Sequence, residues 1–198
     1  HLSNNKLTEL NENFFIGLDN LKYLHLDCNE IKILKKNTFK HLINVKTLKL
    51  DENPIEDIEK GVFLELINLE SLNLSSISLK RVKKDQFSIG ENLKISESKK
   101  EDIEADFIND LTNLQTLSLS RNSLTSLNRG MFNGLVNLKK IDLWRNKLEK
   151  IEDGVFTSEL KNLEKLDLSS NELNEFKLSS LNELINLKTL DLSNNDEL

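Results

Sequence analysis

The chain has 198 residues, 37% of them hydrophobic, with 27 basic against 33 acidic side chains and a net charge of −6. That is enough apolar content for a buried core, and acids and bases are interspersed, so no basic stripe exists to neutralise phosphates and nucleic acid is not an expected partner. No apolar run approaches the ~20 residues a bilayer span requires, so this segment is not expected to insert in a membrane, and residues 1–20 lack the charged-then-apolar pattern of a signal peptide.

From the amino end, Leu2, Asn5, Leu7, Leu10, Phe15 and Leu18 read as the tail of a unit. Leu21, Val45 and Leu69 then open three successive units at intervals of 24 residues. The pattern within a unit is L-x-x-L-x-L-x-x-N-x-L, followed by further apolar positions and a Phe. Beyond an irregular stretch, Leu114, Leu138, Leu163 and Leu187 open four more units at intervals of 24, 25 and 24. The last stops halfway, at Leu198. The reading is one repeat domain over residues 1–198, about eight repeats long, cut in mid-repeat at both ends.

Each recurring residue type has a physical reason. The L-x-L alternation turns apolar side chains to one face of a short strand and the intervening residues to the other. One unit cannot cover its own apolar face, so strands from successive units stack in parallel and stability resides in unit-to-unit contacts. Leu24, Leu48, Leu72, Leu117, Ile141, Leu166 and Leu190 are the expected core of that sheet, and helix should be scarce. The repeated Asn (Asn5, Asn29, Asn53, Asn122, Asn146, Asn171, Asn195) brings two amide donors and an acceptor to the point where the chain leaves the strand, which predicts a ladder. Phe15, Phe39, Phe63, Phe87, Phe132 and Phe156 should form an aromatic spine on the far side, continued by Leu181.

The interval from Leu69 to Leu114 is 45 residues, three short of two units, and Ile77 stands where the Asn should be. The Asn ladder must lapse there. Two registers are open for the irregular repeat near 77–108. One uses Leu93 and Ile95 as strand residues and Ile103 and Ile108 as later core positions; the other starts at Leu93 and leaves Ser96 and Ser98 at apolar sites. The first keeps the apolar residues inward and is preferred. The charged segment Lys94 to Asp106 reads as a binding loop, a bend, or the solvated face of a degenerate repeat.

No catalytic constellation is present: there is no glycine-rich phosphate loop, no H-E-x-x-H and no nucleophile elbow. No cofactor is expected. His25 and Cys28 form an H-x-x-C, but two ligands fall short of a structural zinc site, so no metal is expected either. Asp142 and Asp167 on neighbouring strands are expected to be solvated or paired with Lys140 and Lys165. The solvent face of the strands carries small and charged residues, among which Trp144, the single tryptophan, stands out. Arg145 follows it and Arg121 occupies the equivalent place one unit earlier; Trp and Arg are the types most enriched at interface hot spots. Tyr23 and His25 form a weaker second cluster. One column of that face drifts from His25 and Lys49 to Asp142, Asp167 and Asp191, so a partner along it would meet opposite charge at its two ends. Asn73-Leu74-Ser75 is a glycosylation sequon that would fall on the same face.

This pattern resembles the animal extracellular "typical" leucine-rich-repeat family, which includes Toll-type receptor ectodomains, Slit-like proteins and insect leucine-rich-repeat immune proteins. The resemblance covers nearly the whole chain outside the irregular unit. It implies an α/β repeat solenoid: a leucine-rich-repeat horseshoe with a parallel sheet on the concave face and short turns or 3-10 helix on the convex face. It also implies a non-enzymatic protein-protein recognition module, secreted or on a cell-surface ectodomain, in innate immunity or as a receptor. The alternative is an adhesive or structural role against matrix or a sister chain, with homo- or hetero-oligomers open. Cys28 is the single cysteine, so no internal disulfide is available to report an oxidising compartment.

Overall fold

The computed structural model describes residues 1–59, 61–77 and 111–198. Phe87, Leu93, Ile95, Ser96, Ser98, Ile103, Ile108 and the segment from Lys94 to Asp106 lie outside them. In chain order the strands are β1 Tyr23–His25, β2 Ile33–Leu34, β3 Thr47–Lys49, β4 Asp57–Ile58, β5 Ser71–Asn73 and β6 Thr116–Ser118. They continue with β7 Ser126–Leu127, β8 Lys140–Asp142, β9 Lys150–Ile151, β10 Lys165–Asp167 and β11 Thr189–Asp191.

Seven of these strands form one parallel sheet in the order β1-β3-β5-β6-β8-β10-β11. Its central row runs Leu24, Leu48, Leu72, Leu117, Ile141, Leu166, Leu190 in continuous register. Each strand is three residues because the L-x-L motif points only its middle residue into the core before the chain turns away. The first six residues of the row are at most 3% exposed. Leu190 is half-buried, since β11 is the edge strand and is covered by β10 alone. Two small parallel sheets, β2-β4 and β7-β9, and two short 3-10 helices, Ser158–Leu160 and Leu178–Leu181, lie on the returning parts of the units. No helix among the described residues is long and apolar enough to cross a membrane.

β5 pairs directly with β6, Ser71 opposite Thr116 and Asn73 opposite Ser118. Leu72 lies opposite Leu117 in this pairing. The two-unit reading of the 45 residues from Leu69 to Leu114 turns on the irregular repeat, most of which lies outside the described residues.

The aromatic spine forms as expected on the described residues. Phe15, Phe39 and Phe63 are stacked at centroid distances of 6.1 and 5.9 Å, and Phe132 and Phe156 at 6.2 Å. All five rings are at most 3% exposed. Such offset stacks add about 0.5–1.5 kcal/mol each beyond area burial.

The Asn ladder also forms. Asn146 is typical: its Nδ2 donates to Leu143 O in its own unit and to Leu119 O in the preceding one, both at 3.0 Å, while its Oδ1 accepts the Leu124 N–H at 3.2 Å. Asn29, Asn53, Asn171 and Asn195 repeat the arrangement. At the lapse, buried Ile77 takes the Asn place, and Asn122 Nδ2 reaches across to Leu74 O at 2.9 Å. Asn122 Oδ1 is buried and has no hydrogen-bond partner among the described residues.

Candidate functional site

The residue just before each ladder Asn has a left-handed backbone. Asn4, Cys28, Glu52, Ser76, Arg121, Arg145, Ser170 and Asn194 all have φ between 53° and 57°. Residue preference does not explain this, since only Asn accepts that region readily. Hydrogen bonds accompany it: in all but Asn194, which lies in the last unit, the N–H donates to a carbonyl of the next unit, Arg121 to Trp144 O at 2.8 Å and Arg145 to Ser169 O at 3.0 Å. The turn places these residues at the carboxyl edge of the sheet, where the Arg121 N–H meets Trp144 O and Arg145 follows the tryptophan.

Trp144 is 36% exposed, with the Arg145 guanidinium 5.9 Å from its ring centroid. At an exposed site that cation–π contact is worth about 0.5–1 kcal/mol. The Trp144 N–H donates to Asp142 Oδ1 at 3.2 Å, and Asp142 Oδ2 accepts from Ser118 Oγ at 3.2 Å. Arg121, Asn122, Arg145, Asn146, Lys147 and Glu172 line a groove of about 380 Å³ at the carboxyl edge of the sheet. The arrangement combines a large amphipathic ring, two exposed cations and a shallow groove between them, which suits it to grip a protruding side chain or a carboxylate.

Asp142 and Asp167 are part-exposed and make local hydrogen bonds. Neither pairs with Lys140 or Lys165. Asp167 Oδ1 accepts both the N–H and the Oγ–H of Ser169, at 3.0 and 2.5 Å, and Asp142 is held as above. The centre of the face is a hydroxyl network missed in the sequence: Ser75 bonds to Ser118 at 2.8 Å and to Asn73 Oδ1 at 2.6 Å, and Ser120 bonds to both serines. Asn73 is thus half-buried on β5 with its amide oxygen engaged.

Tyr23 and His25 do not join the tryptophan cluster. They lie on β1, four strand steps from β8, roughly 19 Å away at ~4.8 Å a step. Tyr23 is exposed, while His25 Nδ1 is 2.9 Å from His1 Nδ1, so one ring donates and the other accepts. Cys28 turns away from His25 and its Sγ donates to Glu52 Oε2 at 3.3 Å. That bond pushes the thiol pKa up and keeps it a poor nucleophile. No group of three or more His, Cys, Asp or Glu among the described residues is placed to hold a metal.

The charge drift along the sheet holds for the single column read from the sequence, His25 to Asp191. The adjacent columns carry Asp27, Asp51 and Glu52 near the amino end and Arg121 and Arg145 in the middle, and end in Ser169, Ser170, Ser193 and Asn194, so the basic start of the first column is offset by acids beside it.

A family model described as "Leucine rich repeat" matches residues 1–55, 43–88, 91–143 and 136–196. The chain belongs to the leucine-rich-repeat family. Among solved structures, this leucine-rich-repeat chain is similar to a crystal structure described as a TLR13–ssRNA13 complex, at 27% identity and a TM-score of 0.69. The match covers 94% of this chain and 26% of that one, so the repeats here span about a quarter of that protein's length. The Toll-type likeness expected from the repeat pattern is thereby supported. No curated protein matches the sequence.

Proposed function

We propose that this leucine-rich-repeat segment is an extracellular recognition module of innate-immune or receptor-ectodomain type. It binds a protein partner on the solvent face of its parallel sheet and catalyses no reaction. The observation that carries the reading is the Trp144–Arg145–Arg121 cluster, a part-exposed ring with Arg145 over it and Arg121 at the equivalent place one unit earlier, on a surface otherwise made of small and charged residues. Asp142 positions the Trp144 backbone and Asp167 continues the acidic row beside it. Tyr23 and His25 form a separate contact region nearer the amino end. The ssRNA of the TLR13 complex belongs to that protein; net charge −6 favours a protein here over a polyphosphate.

Trp144→Ala tests it. Partner affinity, measured by titration calorimetry, should fall by about 2 kcal/mol or more, roughly 30-fold, with the circular dichroism spectrum unchanged. Unaltered affinity in a folded variant rejects the site. An N-glycan at Asn73 belongs to the same reading of location, and a mass decrease of the secreted chain on glycosidase treatment, abolished by Ser75→Ala, checks it.

A further inference from the structure

The amino edge of the sheet carries a column opposite the tryptophan side, formed by the residue immediately before each strand. It runs Lys22, Lys46, Glu70, Gln115, Lys139, Glu164, Lys188. Backbone bonds of 2.8–2.9 Å link each N–H to the preceding member's carbonyl, so the register is fixed. Read outward from Gln115, the column is a charge palindrome with opposite signs. Glu70 is mirrored by Lys139 and Lys46 by Glu164; only the outermost pair, Lys22 and Lys188, repeats a sign.

A second column runs beside it. A further Asn in each unit (Asn44, Asn68, Asn113, Asn137, Asn162, Asn186) donates its Nδ2 to the carbonyl of Asp19, Ile43, Ile67, Thr112, Val136 and Lys161 respectively, at 2.8–2.9 Å. The side chains at those carbonyl positions project outward, and Ile43, Ile67 and Val136 are 42%, 59% and 40% exposed. The inner members of this column are symmetric about Thr112, in the same unit as Gln115: Ile67 mirrors Val136, and Ile43 mirrors Lys161 with its apolar stem, while the outermost pair, Asp19 and Ile185, does not match. A groove of about 320 Å³ lies at the same centre, lined by Lys46, Asn68, Glu70, Asn113, Gln115, Asn137 and Lys139.

From this self-complementarity we infer that the amino edge is an isologous interface for a second copy of the chain, packed antiparallel about a two-fold axis at Gln115. A two-fold contact requires that if one residue meets another, the reverse contact also occurs. The mirrored signs meet that requirement: Lys46 and Glu70 of one copy face Glu164 and Lys139 of the other. Within each chain Lys46 already holds Glu70 at 2.6 Å and Glu164 holds Lys188 at 2.9 Å, so the cross-contact assembles four-charge clusters of alternating sign. Ile67 against Val136 supplies an apolar contact on both sides of the axis. The strip is narrow, about 29 Å along seven strands, and belongs to the weak, transient class of interfaces. It is separate from the tryptophan face and stands whether or not that face binds a partner.

Sedimentation velocity of the 198-residue chain over a wide concentration range tests the interface. The expected result is a monomer–dimer equilibrium that stops at the dimer and weakens with added salt. Glu164→Lys places like charges at two symmetric points and should weaken dimerisation at least tenfold. Adding Lys46→Glu to it should restore the dimer to within about threefold, which general loss of folding cannot do. A monomer at every concentration, an open series of larger species from end-to-end stacking, or a dimer indifferent to the charge swap would each overturn the inference.

Discussion

Replacing Asn146 with alanine measures what the buried Asn ladder contributes. The side chain is 7% exposed and makes three hydrogen bonds: two donated, to Leu119 O and Leu143 O, and one accepted, from the Leu124 N–H. The losses are unequal. Leu119 O keeps the Asn122 amide at 2.9 Å and Leu143 O keeps the Asn171 amide at 3.1 Å, so each carbonyl loses one of two partners. The Leu124 N–H loses its acceptor inside the core. An orphaned buried donor costs about 1–3 kcal/mol and each lost bond with a surviving partner about 0.5–1.5, so Asn146→Ala should destabilise the fold by about 3 kcal/mol. Asn137→Ala is the internal comparison: its single bond, to Thr112 O at 2.9 Å, lies on the exposed edge and should be worth under ~1 kcal/mol. Urea unfolding followed by circular dichroism gives both values, with equal slopes confirming comparable unfolding. If Asn146→Ala costs no more than Asn137→Ala, the ladder is not the element that joins the units.

The left-handed column makes a second prediction. Ser170, at φ 55°, holds a conformation that a side chain disfavours by ~1–2 kcal/mol and glycine does not. Ser170→Gly should therefore raise stability by about 0.5–1 kcal/mol after glycine's larger unfolded-state entropy is counted, and a lower thermal midpoint would contradict the account. Asp51 makes a third, in pH. Its half-buried carboxyl has Oδ1 sealed from solvent without a partner among the described residues, and desolvation raises its pKa, aided by Asp27 and Glu52. The folded state thus holds the proton more tightly than the unfolded chain, and stability falls as pH rises from about 3.9 through the raised folded value. Asp51→Asn should stabilise the protein at neutral pH by less than about 1 kcal/mol, with the advantage gone below about pH 4. A constant difference across pH would refute the desolvation argument.

The solenoid was legible because its information is repeated. Seven units in one register make the apolar row, the Asn column and the Phe spine visible without any single residue being decisive. The second Asn ladder was equally available, since an Asn stands directly before Val45, Leu69, Leu114, Leu138, Leu163 and Leu187. Tracking apolar positions alone passes over it. The left-handed column could not be read from residue types, because Cys28, Glu52, Arg121 and Ser170 share a backbone conformation that inter-unit hydrogen bonds accompany. Spacing leaves the register open at Leu69 to Leu114, where 45 residues fall three short of two units, and the pairing of Leu72 with Leu117 depends on what the strand edges meet in space. For the candidate site, Trp144, Arg145 and Arg121 were found together because they share columns one unit apart. The Ser75–Ser118–Ser120 network and the His1–His25 contact depend on side-chain directions that spacing does not carry.

Hydrogen exchange of the chain, free and bound to its partner, tests the recognition surface most directly. The account predicts that added protection centres on the amides of residues 116–121 and 140–146, where Arg121, Asp142, Trp144 and Arg145 cluster. Protection confined to the amino edge around Asn68, Asn113 and Gln115, or to the spine side around Phe39 and Phe132, would contradict it.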